Sequence, residues 1–519
     1  MTSIPPMPAH GHIPNLRAAL AATLICLSPI LSPSAWGSEA PLPPAASAAR
    51  DTVKVSVRPY ASASRPFEGW GVSLCWWANV CGKWEESRVD SLVDWLTSPE
   101  GLNFRIFRYN IGGGEDPLNR HCTPHHMAGG KGLRAEMEGF KDSTSGQWHW
   151  ERDSAQRRIM LKIRQKRPDA IFEAFSNSAP YYMTVSGCCG GHADAWKDNL
   201  RPECQEEFAH YLVDVCRHYK ERYGIEFKTL DPFNEPMTNY WYVGGNQEGC
   251  HFDFASQIRF LRILAPILKA SGLSTVISAA DETSVATSVK GFHAYEEAGV
   301  LPLVGQWNTH TYEASDSARR QLSELCARHG IPLWMSETGA GGKGLDGNLS
   351  LAERLIQDMR LLRPTAWLDW QYMEDNNDQW CMVQGDFYGG TQRFHKVKNY
   401  YVRQHFSRFI PQGYTILESD SRQLLAAVSP GGDTLVAVCV NRGEQDATLS
   451  LDISSDICRR ARLKKARAYL TTPTLDLAPA GRSFLTATPS GQPTWRQPAG
   501  SICTLLIPLK PAPKRAARQ

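Results

Sequence analysis

From about residue 67 the chain alternates between short apolar runs and longer segments whose apolar positions recur near the helical period. The apolar runs fall at 69–75, 104–110, 170–176, 226–233, 274–280, 303–309, 332–336 and 366–372. The helical patterns fall at 84–98, 151–167, 203–223, 253–271, 316–329 and 349–363. Ser315 or Asp316 is placed to cap one of these helices, and Asn348 or Ser350 another. Eight strands, each followed by a crossover, predict an α/β protein built on a (β/α)₈ TIM barrel over residues 65–405.

After about residue 405 the pattern shortens. Leu424–Val428, Thr434–Val440, Ala447–Ile453, Arg467–Thr471 and Ile502–Pro508 read as short strands separated by turns such as Pro430-Gly431-Gly432. They predict a side β-sandwich over 406–510. Thr52 to Val57 alternates like a strand ahead of the barrel, so 52–64 are expected to lend that sandwich an N-terminal strand. Residues 511–519 read as a disordered tail.

The start of the chain carries an export pattern. Arg17 precedes an apolar run from Ala18 to Leu31, then a small-x-small site at Ala35-Trp36-Gly37, so 1–37 read as a signal peptide and the Pro/Ala-rich 38–51 as a disordered leader. That run is too short for a stable bilayer span, and no other segment is a candidate for one. The expected location is the periplasm, the cell surface or the medium.

Composition narrows the function classes. Hydrophobic residues make up 42% of the 519 and charged residues 21%, as in ordinary globular proteins. A net charge of +3 gives no electrostatic footprint for nucleic acid. The 16 tryptophans and 17 tyrosines suit sugar rings, whose apolar faces stack on aromatic faces, although most individual aromatics pack a core. Of 14 cysteines, Cys26 lies in the signal; the odd remainder requires at least one free thiol, while Cys188-Cys189, and Cys75 with Cys81, could join bridges. His121-Cys122-Thr123-Pro124-His125-His126 lacks a second ligand cluster at zinc-finger spacing and reads as a loop lining the cleft.

The chemistry centres on two strings, Asp231-Pro232-Phe233-Asn234-Glu235-Pro236 and Trp334-Met335-Ser336-Glu337-Thr338-Gly339. Glu235 and Glu337 stand 102 residues apart, three βα units of roughly 34 residues, at the ends of the fourth and seventh strands. Strand ends on a barrel's C-terminal face share one cleft. Paired carboxylates there suit glycosidic bond cleavage, with Glu235 as acid/base and Glu337 as nucleophile. Asn234 is placed for the sugar's 2-hydroxyl and Arg108 for holding Glu337 as an anion. Trp76, Trp77, His310, Tyr312 and Trp370, at other strand ends, complete the expected sugar site. His310 reads better as a supporting residue than as an acid or base. Ile111-Gly112-Gly113-Gly114 lacks the phosphate-loop pattern and is read as a turn. No metal or other cofactor is called for.

These residues resemble glycoside hydrolase family 30 of the clan-A retaining enzymes over about Thr52 to Pro508. The resemblance is carried by Gly69-Trp70-Gly71-Val72-Ser73-Leu74-Cys75-Trp76-Trp77-Ala78, Arg108-Tyr109-Asn110-Ile111-Gly112-Gly113-Gly114, Asn234-Glu235-Pro236 and Ser336-Glu337-Thr338-Gly339. It implies a barrel with a side sandwich, and it assigns the two glutamates the same roles. The Ser-Leu-Cys-Trp-Trp-Ala opening looks most like the endo-β-1,6-galactanase branch, which cuts arabinogalactan side chains. The expectation is therefore an exported retaining endo-β-1,6-galactanase whose partner is a polysaccharide or oligosaccharide. Its rivals are a β-1,6-glucanase, a glucosylceramidase-like enzyme or a β-xylan-cleaving enzyme, and, in another class, a non-catalytic carbohydrate-binding protein. Oligomeric state, disulfide connectivity and endo versus exo action are not legible from the sequence.

Overall fold

The computed structural model describes residues 52–59, 66–116, 137–245, 247–375 and 378–511, the first of these by its backbone. The expected signal peptide, the leader, the His121–His126 segment and the tail beyond residue 511 lie outside the described residues.

Eight parallel strands close the barrel: Gly69–Ser73, Ile106–Asn110, Ile171–Phe175, Thr229–Asp231, Val276–Ser284, Val304–Glu313, Leu333–Glu337 and Ala366–Gln371. Each expected strand contains or overlaps an observed one. Strand alternation divides the barrel interior into layers. Ile106, Trp334, Ala366 and Leu368 form an apolar cluster in one layer. Further along the same strands the buried side chains turn polar, with Arg108 and Ser336, joined by Gln306, Asn308 and His310 at every second position of the sixth strand. The intervening Trp307 packs outward against Phe292 and Tyr295.

Two helical expectations are corrected. Val285–Glu297 forms a helix that the periodicity had not marked, beginning directly where the fifth strand ends at Ser284. The helix expected at 349–363 starts earlier, at Gly344, so Asn348 and Ser350 lie within it and cap nothing. Ser315 does cap its helix, accepting from the Ala318 N–H at 3.1 Å.

The C-terminal strands form one ten-stranded sheet that folds over its own core of Leu435, Ala437, Cys439, Leu449, Leu451, Trp495, Cys503 and Leu505. Alternate residues Val436, Val438 and Val440 belong to the main core instead, so the sheet presents a second apolar face to the barrel. Thr52–Pro59 sits inside this sheet, parallel to Ala447–Ile453 and antiparallel to Thr415–Ser419. It is the single strand joining the six on one side to the three on the other.

The cysteines meet the expectation in part. Cys75, Cys81 and Cys189 are free and buried, whereas Cys188 is disulfide-bonded. Buried thiols such as Cys81, whose Sγ lies 3.4 Å from the Met373 sulfur, act as small apolar side chains. Among the described residues no helix is long and apolar enough to cross a membrane.

Candidate active site

Glu235 follows the fourth barrel strand and Glu337 ends the seventh, as the spacing predicted. Ligand atoms of Glu235, His310 and Glu337 all lie within 4.8 Å of one another. The backbone at Glu235 is left-handed, φ +48°, a conformation costing a non-glycine residue about 1 kcal/mol or more. Its N–H donates to the Asp281 carbonyl at 2.9 Å, and Asp281 is itself left-handed at φ +53°. Adjacent strained turns thus fix where the carboxyl enters the cleft.

Charge beneath the pair is dense. Arg108 donates from Nε to Glu173 at 2.9 Å and from Nη1 to Glu337 Oε2 at 3.0 Å, and its Nη2 pairs with Asp281. Burial alone would lower the Arg108 pKa; Asp281, Glu173 and Glu337 outweigh it and raise it. His310 Nδ1 sits 3.0 Å from Glu235 Oε1 and 3.7 Å from Glu337 Oε1, with Nε2 3.4 Å from Asp281. Burial opposes charge on this imidazole too, but the surrounding carboxylates raise it to about 10, so it is a cation at neutral pH. Burial likewise pushes Glu337 up to about 7, against the pull of His310 and Arg108. Burial, with Asp281 and Glu173 close by, holds the Asp231 carboxyl well above the usual carboxylate range.

Above this layer opens a cleft of about 560 Å³, lined by Asn234, Glu235, Thr283, Tyr312, Glu337 and Trp370, and by Tyr240, Trp241, Tyr242, Gly245, Gln247 and Trp380. Tyr312 donates to Glu337 Oε1 at 3.0 Å. Asn234 is buried, and its Oδ1 has no hydrogen-bond partner among the described residues. Gly339 keeps the wall thin, since a Cβ there would meet the Trp380 ring at 3.2 Å.

Three expected sugar contacts are placed differently, while Arg108 holds Glu337 as expected. Trp77 opens a short helix, donates to the Ser73 carbonyl at 3.0 Å and packs edge-on to Tyr372 in the core. Trp76 is also fully buried and braces Trp370 edge-on at 5.7 Å rather than lining the cleft. Arg108 and His310 have no exposed surface and touch the glutamates, not the cleft. The inward strand positions that carry them are sealed by the layer above.

Sequence reasoning missed the loop residues. Tyr240 donates to Glu235 Oε2 and lies 2.8 Å from Thr283 Oγ1, and Trp241 Nε1 donates to the Glu235 carbonyl at 3.1 Å. The aromatic run Tyr240-Trp241-Tyr242 just after Pro236 was the available signal. Nothing marked Trp380, which sits in an irregular segment.

A parallel barrel that presents two close glutamates in an aromatic cleft defines a glycoside hydrolase. This chain belongs to glycoside hydrolase family 30: the model described as O-Glycosyl hydrolase family 30 matches residues 52–298. It is 31% identical over 406 residues to an endo-β-1,6-galactanase of Hypocrea rufa, covering 75% of this chain and 81% of that one. It is 25% identical over 564 residues to an exo-β-1,6-galactobiohydrolase of Bifidobacterium longum subsp. longum, covering 82% of this chain and 37% of that one. In fold it resembles a conserved exported protein from Bacteroides fragilis, with a TM-score of 0.73, 19% identity, and 88% and 100% of the two chains covered.

Proposed function

We propose that this glycoside hydrolase is an exported, retaining endo-glycosidase that cleaves β-1,6-linked galactan. The observation that carries the mechanism is the closeness of the Glu235 and Glu337 carboxylates, whose ligand atoms fall within 4.8 Å. Retaining enzymes hold such carboxyls about 5–5.5 Å apart, whereas inverting enzymes leave room for a water between them. The choice of sugar rests on the similarity to the galactanase of Hypocrea rufa.

Glu337 attacks the anomeric carbon through Oε, the glycosidic bond breaks, and the leaving oxygen takes its proton from Glu235. Glu235 then removes a proton from water as that water attacks the glycosyl–Glu337 ester, which restores both carboxyls. Arg108, His310 and Tyr312 hold Glu337 in place and stabilise its negative charge. Asn234 is placed to accept from the sugar's 2-hydroxyl, and Trp370 stacks beneath the ring. The Cys188 disulfide and the export pattern of residues 1–37 support a location outside the cytoplasm.

The test is proton NMR of the first product formed from β-1,6-galacto-oligosaccharides of defined length, with the full product ladder read alongside. A β-configured product from internal cleavage is expected. An α-product would sink the double displacement, and an uncleaved galacto-ladder would sink the sugar assignment.

A further inference from the structure

Among the described residues seven large hydrophobic side chains are markedly exposed; two of them, Tyr240 and Tyr242, line the cleft, and two more, Val185 and Trp196, stand on a loop bridged to Tyr242 at His192. Trp196 is 62% exposed and Tyr242 47%. Isolated exposed apolar residues are ordinary, but clustering at the mouth of a site marks a binding surface.

The two loops form one wall. Backbone bridges join His192 to Tyr242, the Val243 N–H donates to the His192 carbonyl at 3.3 Å, and the Gly249 N–H to the Cys189 carbonyl at 2.8 Å. Gly191, at φ +128°, permits the approach, because a Cβ there would lie 2.3 Å from the Trp241 carbonyl carbon. Within its own turn the Trp196 N–H donates to Asp194 at 3.1 Å, and the ring stands edge-on to His251 at 6.5 Å.

This wall is on the side of Glu235, the residue that Tyr240 and Trp241 contact directly. A proton donor faces the leaving oxygen, so the departing part of the substrate extends along the donor's side of the cleft. Tyr242 lines the cleft itself, and its backbone is bridged to His192 on the loop that carries Trp196.

We infer that Tyr242 and Trp196 are stacking platforms for the sugars on the leaving-group side, so that the enzyme gains rate from chain length beyond the scissile bond. The inference rests on Glu235 being the acid. Its occupant is the same polysaccharide chain that fills the cleft, because the loop that carries Trp196 is bridged at His192 to Tyr242, which lines the cleft.

The test measures kcat/KM against chain length, from disaccharide to hexasaccharide, on whichever of the β-1,6-galacto and β-1,6-gluco ladders the wild type cleaves. The wild type should gain at least tenfold along the ladder. Trp196→Ala and Tyr242→Ala should each lose roughly five- to tenfold of that gain, as expected for one lost stacking contact. Leu475→Ala, at an exposed site on the sandwich, should keep it. Both rings are exposed, so the variants should keep the wild-type melting temperature. A wild type that gains nothing with length, or rim variants that keep the full gain, would overturn the inference. Cleavage of the gluco-ladder alone would overturn the sugar assignment and leave this reading to be decided on that ladder.

Discussion

Arg108 Nη1 reaches Glu337 Oε2 at 3.0 Å, and the guanidinium has no exposed surface. One planar cation thereby holds the proposed nucleophile and two further carboxylates, Glu173 and Asp281, a task that a lysine's point charge cannot reproduce. Arg108→Lys should lower kcat/KM by roughly 10²-fold or more, as for loss of a preorganised donor. The sign of the pH effect follows from Glu337, which burial holds near 7 while Arg108 pulls it down. Weakening that pull raises the carboxyl's pKa, so the acid limb of the kcat/KM profile should move to higher pH.

Azide can assign the two glutamates separately. With a nitrophenyl glycoside, Glu337→Gly should be rescued by azide attacking from the emptied side, giving the α-glycosyl azide. Glu235→Ala should still form the glycosyl ester, and azide attack on it should give the β-azide. The anomers, read by NMR, would exchange if the roles were reversed.

Tyr240 donates to the carboxyl proposed as the acid. Tyr240→Phe should slow cleavage of unactivated oligosaccharides about tenfold, since proton transfer to the leaving oxygen contributes strongly to that step. A nitrophenyl glycoside, whose leaving group needs little help, should be slowed much less.

His405 is buried between the Lys398–Ser407 helix and the sandwich, 2.7 Å from Thr504 Oγ1 and 2.9 Å from Thr471 Oγ1. Burial lowers its pKa to about 3 from 6.5. The unfolded chain takes up a proton below pH 6.5 that the folded chain refuses until about 3, so stability is lost as pH falls through that window. At pH 5 the loss from this group is about 2 kcal/mol. Denaturant titrations at pH 7 and pH 5 should show a smaller loss in His405→Gln.

The centres of the eight strands were legible because buried parallel strands are written as unbroken apolar runs. The glutamates were legible because strand ends share one face. The Val285–Glu297 helix was hidden by the strand that feeds it without an intervening turn. Trp76 and Trp77 show a different limit: adjacent aromatics at a strand end look alike until the backbone decides where each ring goes. The Tyr240–Tyr242 wall depends on a neighbouring loop nearly fifty residues earlier in the chain, and no local period encodes that contact.

The place of Thr52–Pro59 in the sheet sets an order of events. Its parallel partner, Ala447–Ile453, is made almost four hundred residues later, so during synthesis this strand remains unpaired while the whole barrel emerges. Contacts of such separation form slowly. The barrel can close first, and the sheet becomes continuous only when the earliest strand docks between segments made near the end. Until then two pairs of edges stand open to other chains, which makes the last docking step the point at which a newly made molecule is most exposed to aggregation.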